Sequence, residues 1–181
     1  MGGQAFRAAG YPWRLSCGAN AIENDLAAAV DRLGARRAFV ICSPSILGRT
    51  DSVRRIEAAL GQRFAGVFDG IEKDSTFASV MAAKRAAGAA AADLLIAVGG
   101  GSVIVAVRAV AIFLAEAGDP FEIMTQYPAG KPAFSPRLMA AKLPRAMVVL
   151  GGGGGVSSES GNTRTYNPHA PHTTLQILIT A

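Results

Sequence analysis

The segment DLLIAV, residues 93–98, runs directly into Gly99, Gly100 and Gly101 and then into SVIVAVRAVAIFLAEAG, which keeps an apolar, helical character to Gly118. A glycine inside a regular element costs about 0.5–1 kcal/mol relative to alanine. Three of them between two strongly apolar stretches therefore answer a geometric demand. A sharp strand-to-helix turn is the demand that fits.

The chain repeats this unit. NAIENDLAAAVDRLG has Asn20 and Glu23 at capping-box spacing, carries Ile22, Leu26, Val30 and Leu33 on one stripe, and stops at Gly34, which predicts an amphipathic helix. RAFVIC (37–42) is an apolar run of strand length closed by Ser43, Pro44 and Ser45. Asp51 then stands at the cap of SVRRIEAAL, with Val53, Ile56 and Leu60 at helical spacing and Gly61 as the stop. FAGVF (64–68) is a strand ended by Asp69 and Gly70, and STFASVMAAKRAAG is a helix ended by Gly88. The strands are continuous apolar runs, as expected when helices cover both faces of a sheet. The alternation predicts an α/β fold: a doubly wound, three-layer αβα, Rossmann-like parallel sheet with right-handed crossovers. With 181 residues, half of them hydrophobic, the chain is long enough for one well-filled core.

In such sheets ligands sit at the carboxyl ends of the strands, where the glycines lie. The first amides of a helix have no internal partner and carry the positive end of the helix dipole, so an anion fits in front of them. Glycines let phosphate oxygens reach the backbone, and the Ser102 hydroxyl adds a donor. The alternative use of the glycines is a tight turn that packs helix close on sheet. Neither standard phosphate fingerprint is present. A G-x-G-x-x-G run starting at Gly99 would need glycine in place of Ile104, and no G-x-x-x-x-G-K-[ST] occurs.

LGARRAFVICSP, GVFDGIEKDST and above all ADLLIAVGGGSVI resemble the amino-terminal domain of the iron-containing alcohol dehydrogenases, in particular the maleylacetate reductase branch, from about Cys17 to Leu150. The resemblance implies an NAD- or NADP-binding domain whose Gly99, Gly100, Gly101 and Ser102 hold the cofactor's pyrophosphate. It also implies a cofactor-selecting residue after the second strand, often Asp for NAD. Ser43 holds that place and, carrying no charge, does not repel the 2′-phosphate of NADP. Two positions depart from the family pattern: Val105 replaces an Asp that follows GGGS, and Arg108 replaces a Lys. The family's threonine-rich loop aligns with GGGGGVSSE (151–159), where Ser158 and Glu159 match and Gly152 and Gly153 replace threonines. The family's divalent metal, Fe or Zn, is bound by an Asp and three His on a following helical domain. Those ligands have no counterpart in this sequence, so the resemblance covers the cofactor domain alone.

Residues 1–150 are expected to form the dinucleotide-binding domain. Residues 151–181, rich in Gly, Ser, Thr and Pro, are expected to be a tail outside the core, foreign to the fold as after a frameshift or truncation. His169 and His172 fall in it, but Pro168 and Pro171 disfavour the helix that would aim them together, and they are read as solvated rather than metal-binding. The proline-containing stretch 118–144 reads as a long surface connection.

The net charge of +5 does not indicate nucleic-acid binding: residues 1–122 hold thirteen Lys and Arg against twelve Asp and Glu, and the excess, five against one, lies beyond them. Cys17 and Cys42 lack a partner motif, as in a reduced, cytoplasmic protein. The amino terminus has no signal-peptide core, and the uncharged stretch 94–107 is too short to span a membrane. Asp69 and Glu72 read as turn and helix-cap residues, and no catalytic residue is assigned. The expectation is an NAD(P)-dependent oxidoreductase lineage, hydride passing between cofactor and an alcohol or carbonyl compound, with this chain as a truncated, inactive cofactor-binding part. It would act as a homodimer or with a complementing chain. The alternative is a non-catalytic nucleotide-binding or inert fragment that needs a partner chain.

Overall fold

The computed structural model describes residues 13–18, 20–136, 138, 140, 142, 143, 145–151 and 174–180. Strand β1 (Trp13–Gly18) is followed by a π-helical turn, Ile22–Leu26, that runs into α1 (Ala27–Arg32). Next come β2 (Ala38–Cys42), the short α2 (Pro44–Arg49), α3 (Ser52–Leu60) and β3 (Phe64–Phe68). Helix α4 (Phe77–Ala89) leads to β4 (Leu94–Val98), and α5 (Gly101–Ala115) follows at once. After the one-turn helix α6 (Pro120–Ile123) come β5 (Arg145–Gly151) and β6 (Thr174–Thr180).

These strands form one sheet in the order β1-β6-β5-β4-β2-β3. Strands β4, β2 and β3 are parallel, as the apolar runs predict; β5, which the sequence reading did not mark, joins them in parallel, while β6 and β1 join antiparallel at one edge. Every residue of β2 and β4 is buried. Ala38, Val40 and Cys42 of β2 and Leu94, Ile96 and Val98 of β4 pack with Ile22, Leu26 and Val30 and with Val53, Ile56 and Leu60 of α3. The alternate residues, Phe39, Ile41, Leu95 and Ala97, pack on the other face with Val80 and Ala83 of α4 and Val103, Val107 and Val110 of α5. The result is the expected three-layer, Rossmann-like αβα arrangement. Because both faces are covered, a strand here needs apolar residues at every position, not at alternate ones.

Helix ends depart from the sequence expectations where a tertiary partner competes. Glu23 does not close a capping box with Asn20. Its carboxylate takes two hydrogen bonds from Arg55 of α3, at 2.5 Å from Nε and 2.9 Å from Nη2, and that hydrogen bonding holds its carboxyl below the usual range. Asp51 precedes α3 without a side-chain cap bond and lies 4.0 Å from Arg55 instead. Helix α4 begins two residues later than expected, capped by Thr76 Oγ1, which accepts from Ser79 N at 3.3 Å, and it runs past Gly88.

The segment Thr174–Thr180, expected to lie with the tail outside the core, pairs along its whole length with β5 and from Leu175 to Thr180 with β1. Its sequence, TLQILIT, is strand-forming in itself, and the composition of the long segment around it hides this. Residues 152–173, with His169 and His172, lie outside the described residues. The connection through 118–136 is largely exposed, apart from α6 and a bridge between Gln126 and Phe134, as expected of a surface segment. Among the described residues no helix is long and apolar enough to cross a membrane.

Truncating Ile96→Ala, fully buried between β4 and the helices of one face, is expected to lower unfolding stability by about 2–5 kcal/mol in urea titration. Tyr127→Ala, on a side chain 81% exposed, should change it by no more than about 0.5 kcal/mol.

Candidate functional site: the glycine turn at the switch point

β2 and β4 are neighbours paired in register to their last residues, Cys42 opposite Val98. At the other end the Asp93 carboxylate fixes this register by accepting from the Arg36 and Arg37 amides, each at 2.8 Å. From β2 the chain leaves through α3 on one face of the sheet to β3 at its edge. From β4 it leaves along α5 on the opposite face towards β5. Two adjacent strands whose continuations diverge to opposite faces leave a crevice beyond their carboxyl ends, where open α/β sheets bind ligands.

A cleft of about 590 Å³ lies there, lined by Ser43, Pro44 and Ser45 after β2, Ile71, Glu72 and Lys73 after β3, and Gly100, Gly101, Ser102 and Val103 after β4. The structure thus brings Ser43 together with Gly100, Gly101 and Ser102, residues drawn from loops more than fifty positions apart. Lys73, Ser45 and Glu72 join them, although the sequence reading gave none of the three a ligand-binding role. Glu72 and Lys73 lie in the family-like segment GVFDGIEKDST, and Ser45 is marked only by its place in a loop beyond a parallel strand. A second hollow, of about 310 Å³, lies at the far ends of α4 and α5 and is lined by Gly88, Ala91, Ala92, Leu114, Ala115 and Leu143. It offers no polar side chain, so the chemistry points to the first.

The three glycines serve two purposes. Gly99 is buried, at φ 143°, and a Cβ there would stand 3.2 Å from Val103 Cγ2, so this position needs glycine for the backbone itself. Gly100 and Gly101 have ordinary φ and no atom within 4 Å of an added Cβ. Folding does not demand glycine at either; what their missing side chains leave is open approach to the backbone. The Gly100 carbonyl takes the amides of Val103 and Ile104, at 3.1 Å each, and caps the helix from within. Among the described residues nothing accepts from the amides of Gly100, Gly101 or Ser102. The first turn of a helix of fifteen residues therefore presents free donors, with the dipole behind them.

Ser102 Oγ accepts from the Asp74 amide at 3.2 Å, which leaves its own proton to donate. Lys73 adds an exposed ammonium at the cleft. Glu72 brings the opposite charge, and its Oε2 accepts from Thr76 Oγ1 at 2.6 Å. Ser43 and Ser45 pair through their hydroxyls at 3.0 Å. Val105 and Arg108 follow Gly101 at helical spacing along an exposed stripe of α5. No group of three or more His, Cys, Asp or Glu that could hold a metal ion occurs among the described residues.

A sequence model for iron-containing alcohol dehydrogenases matches residues 12–150. The chain belongs to the iron-containing alcohol dehydrogenase family. Maleylacetate reductase 2 of Cupriavidus pinatubonensis is 44% identical over 102 residues, which is 56% of this chain and 27% of that protein. The crystal structure of maleylacetate reductase from Agrobacterium tumefaciens aligns with a TM-score of 0.53 and 30% identity, over 61% of this chain and 30% of that one. NADH-dependent butanol dehydrogenase A from Thermotoga maritima, at 18% identity and a TM-score of 0.51, shares the fold over 57% of this chain and 26% of that one. The matched segment thus spans 27% of the length of the curated relative.

Cys42, the last residue of β2, is buried beneath the cleft. Burial, reinforced by the Asp69 carboxylate and opposed by a hydrogen bond from the Leu47 backbone, pushes its thiol up to about 11 from an ordinary 9.0. The neutral thiol is thereby favoured in the folded state. Its contribution to stability is complete below pH 9 and is lost as pH rises through 11. Wild-type urea stability should fall relative to Cys42→Ala across that interval and run parallel to it below. Gly99→Ala, strained in φ and crowded by Val103, should lower stability by about 1–3 kcal/mol in the same measurement.

Proposed function

We propose that this cleft binds the diphosphate of NAD or NADP and that the chain supplies the cofactor-binding part of an oxidoreductase of the iron-containing alcohol dehydrogenase type. One observation carries the reading: Gly100 and Gly101 leave open space where side chains would stand, in front of the free amides of the first turn of α5. A diphosphate accepts from several amides at once and carries the negative charge that the helix dipole and Lys73 favour. Gly100, Gly101 and Ser102 hold its oxygens in this reading, and Ser43 faces the adenosine ribose without a charge that selects against a 2′-phosphate.

When bound, the nicotinamide supplies a hydride donor or acceptor for an alcohol or carbonyl substrate. The names of the relatives point to maleylacetate as one substrate class. The described residues bind and orient the cofactor, and no proton transfer is assigned to any of them. The divalent metal of the family finds no donor set among them, so no step is derived through it. Binding of the dinucleotide is the behaviour expected of the described residues.

Titration with NADH and with NADPH, followed by nicotinamide fluorescence, tests the reading directly. Saturable enhancement with at least one of them is expected, and none at millimolar cofactor would overturn it. The variant Gly101→Ala separates folding from binding. Its backbone accommodates alanine, so unfolding stability should stay level or rise by about 0.4–1 kcal/mol. Its methyl group stands where a phosphate must approach, so affinity should fall at least about tenfold.

A further inference from the structure

Residues 69–76 connect β3 to α4, and two of them in succession, Asp74 at φ 63° and Ser75 at φ 54°, occupy the left-handed region although neither is glycine. Such a pair persists only where surrounding contacts over-determine it. Here the contacts run to the glycine turn. The Asp74 amide donates to Ser102 Oγ at 3.2 Å, and Ser75 Oγ donates to the Ser102 carbonyl at 2.5 Å, across 28 and 27 positions of sequence. The loop is itself held at both ends. Ile71, buried, donates its amide to the Cys42 carbonyl at 3.2 Å, and Glu72 takes the Ser75 amide on its carbonyl and the Thr76 hydroxyl on its carboxylate. A single loop thus joins the end of β2, the start of α4 and the start of α5.

We propose that the Asp74–Ser75 corner is a positioning element: it sets Ser102, and with it the first turn of α5, in the geometry that receives an anion before any anion arrives. The proposal rests on the reading of the cleft as a diphosphate site. A serine hydroxyl has one proton and two lone pairs. With the Asp74 amide on one lone pair, the Ser102 proton is left for a ligand. Such a donor suits an oxyanion, which can only accept. The Ser75 hydroxyl gives its own proton to the Ser102 carbonyl and so anchors the peptide that follows the free amides. Neither Asp74 nor Ser75 lines the cleft, so their effect on a ligand passes through Ser102. Donors fixed in advance bind more tightly than donors that must be ordered on binding.

A double-mutant cycle on the full chain tests this, with the affinity for NADH or NADPH, whichever the wild type binds more tightly, read by fluorescence. Ser75→Ala and Ser102→Ala should each weaken binding about tenfold, roughly the loss of one hydrogen bond to a charged group. Ser75→Ala should also weaken binding in the Ser102→Ala background, because Ser75 holds the Ser102 main-chain carbonyl, which alanine keeps. Asp74→Gly keeps the amide that reaches Ser102 and suits its φ, so it should bind like the wild type. Without ligand, amide hydrogen exchange at Val103 and Ile104, which donate to the Gly100 carbonyl, should be faster in Ser75→Ala than in the wild type. Wild-type affinity in Ser75→Ala, in either background, weakened binding in Asp74→Gly or unchanged exchange would each overturn the proposal. A wild type that binds neither cofactor would overturn the diphosphate reading and the functional role of the corner with it. The exchange measurement, made without ligand, tells that result apart from the absence of the clamp.

Discussion

β2 and β4 lie side by side with every side chain of both buried and their last residues opposite one another. Water and polar ligands cannot reach them along their length, so polar chemistry begins where they end, at Ser43 and Gly99. The diverging continuations keep helices from closing over that point. Everything proposed for this chain follows from this geometry: a dry, rigid pair of strands delivers two loops to one crevice, and a third loop from β3 closes its side.

The strands and the turn were legible because the same constraint writes them into the sequence. A strand covered on both faces must be apolar throughout, so Ala38–Cys42 and Leu94–Val98 stand out as runs, and a backbone that must be approached shows as Gly100–Gly101. The sequence reading went astray where a distant partner decides. Glu23 and Asp51 sit at textual cap positions, yet Arg55 draws both away from the backbone. Thr174–Thr180 are placed by pairing with β5 and with the distant β1, which no local pattern reveals. The left-handed pair Asp74–Ser75 was equally hidden, since contacts with Ser102 hold it and aspartate's tolerance of that conformation marks no position in advance. Lys73 and Ser45 reach the cleft for the same reason: position after a parallel strand, not composition.

Family membership and local physics support each other without being the same argument. The family match says which lineage the fold comes from, while the open space before Gly100 and Gly101 says why an anion can reach the backbone of this chain. The departures at Val105 and Arg108 lie on the exposed stripe of α5 beyond the glycine turn. They leave the turn itself untouched, so they bear on what happens beyond the diphosphate rather than on holding it. The proposed cofactor binding and whatever chemistry follows it are therefore separable properties.

The most direct test watches the three amides themselves. In a proton–nitrogen correlation spectrum of the labelled chain titrated with the dinucleotide, the Gly100, Gly101 and Ser102 amides should show the largest displacements, moving downfield as they take up phosphate oxygens. Displacements confined to other residues, with these three resonances stationary at saturation, would contradict the account.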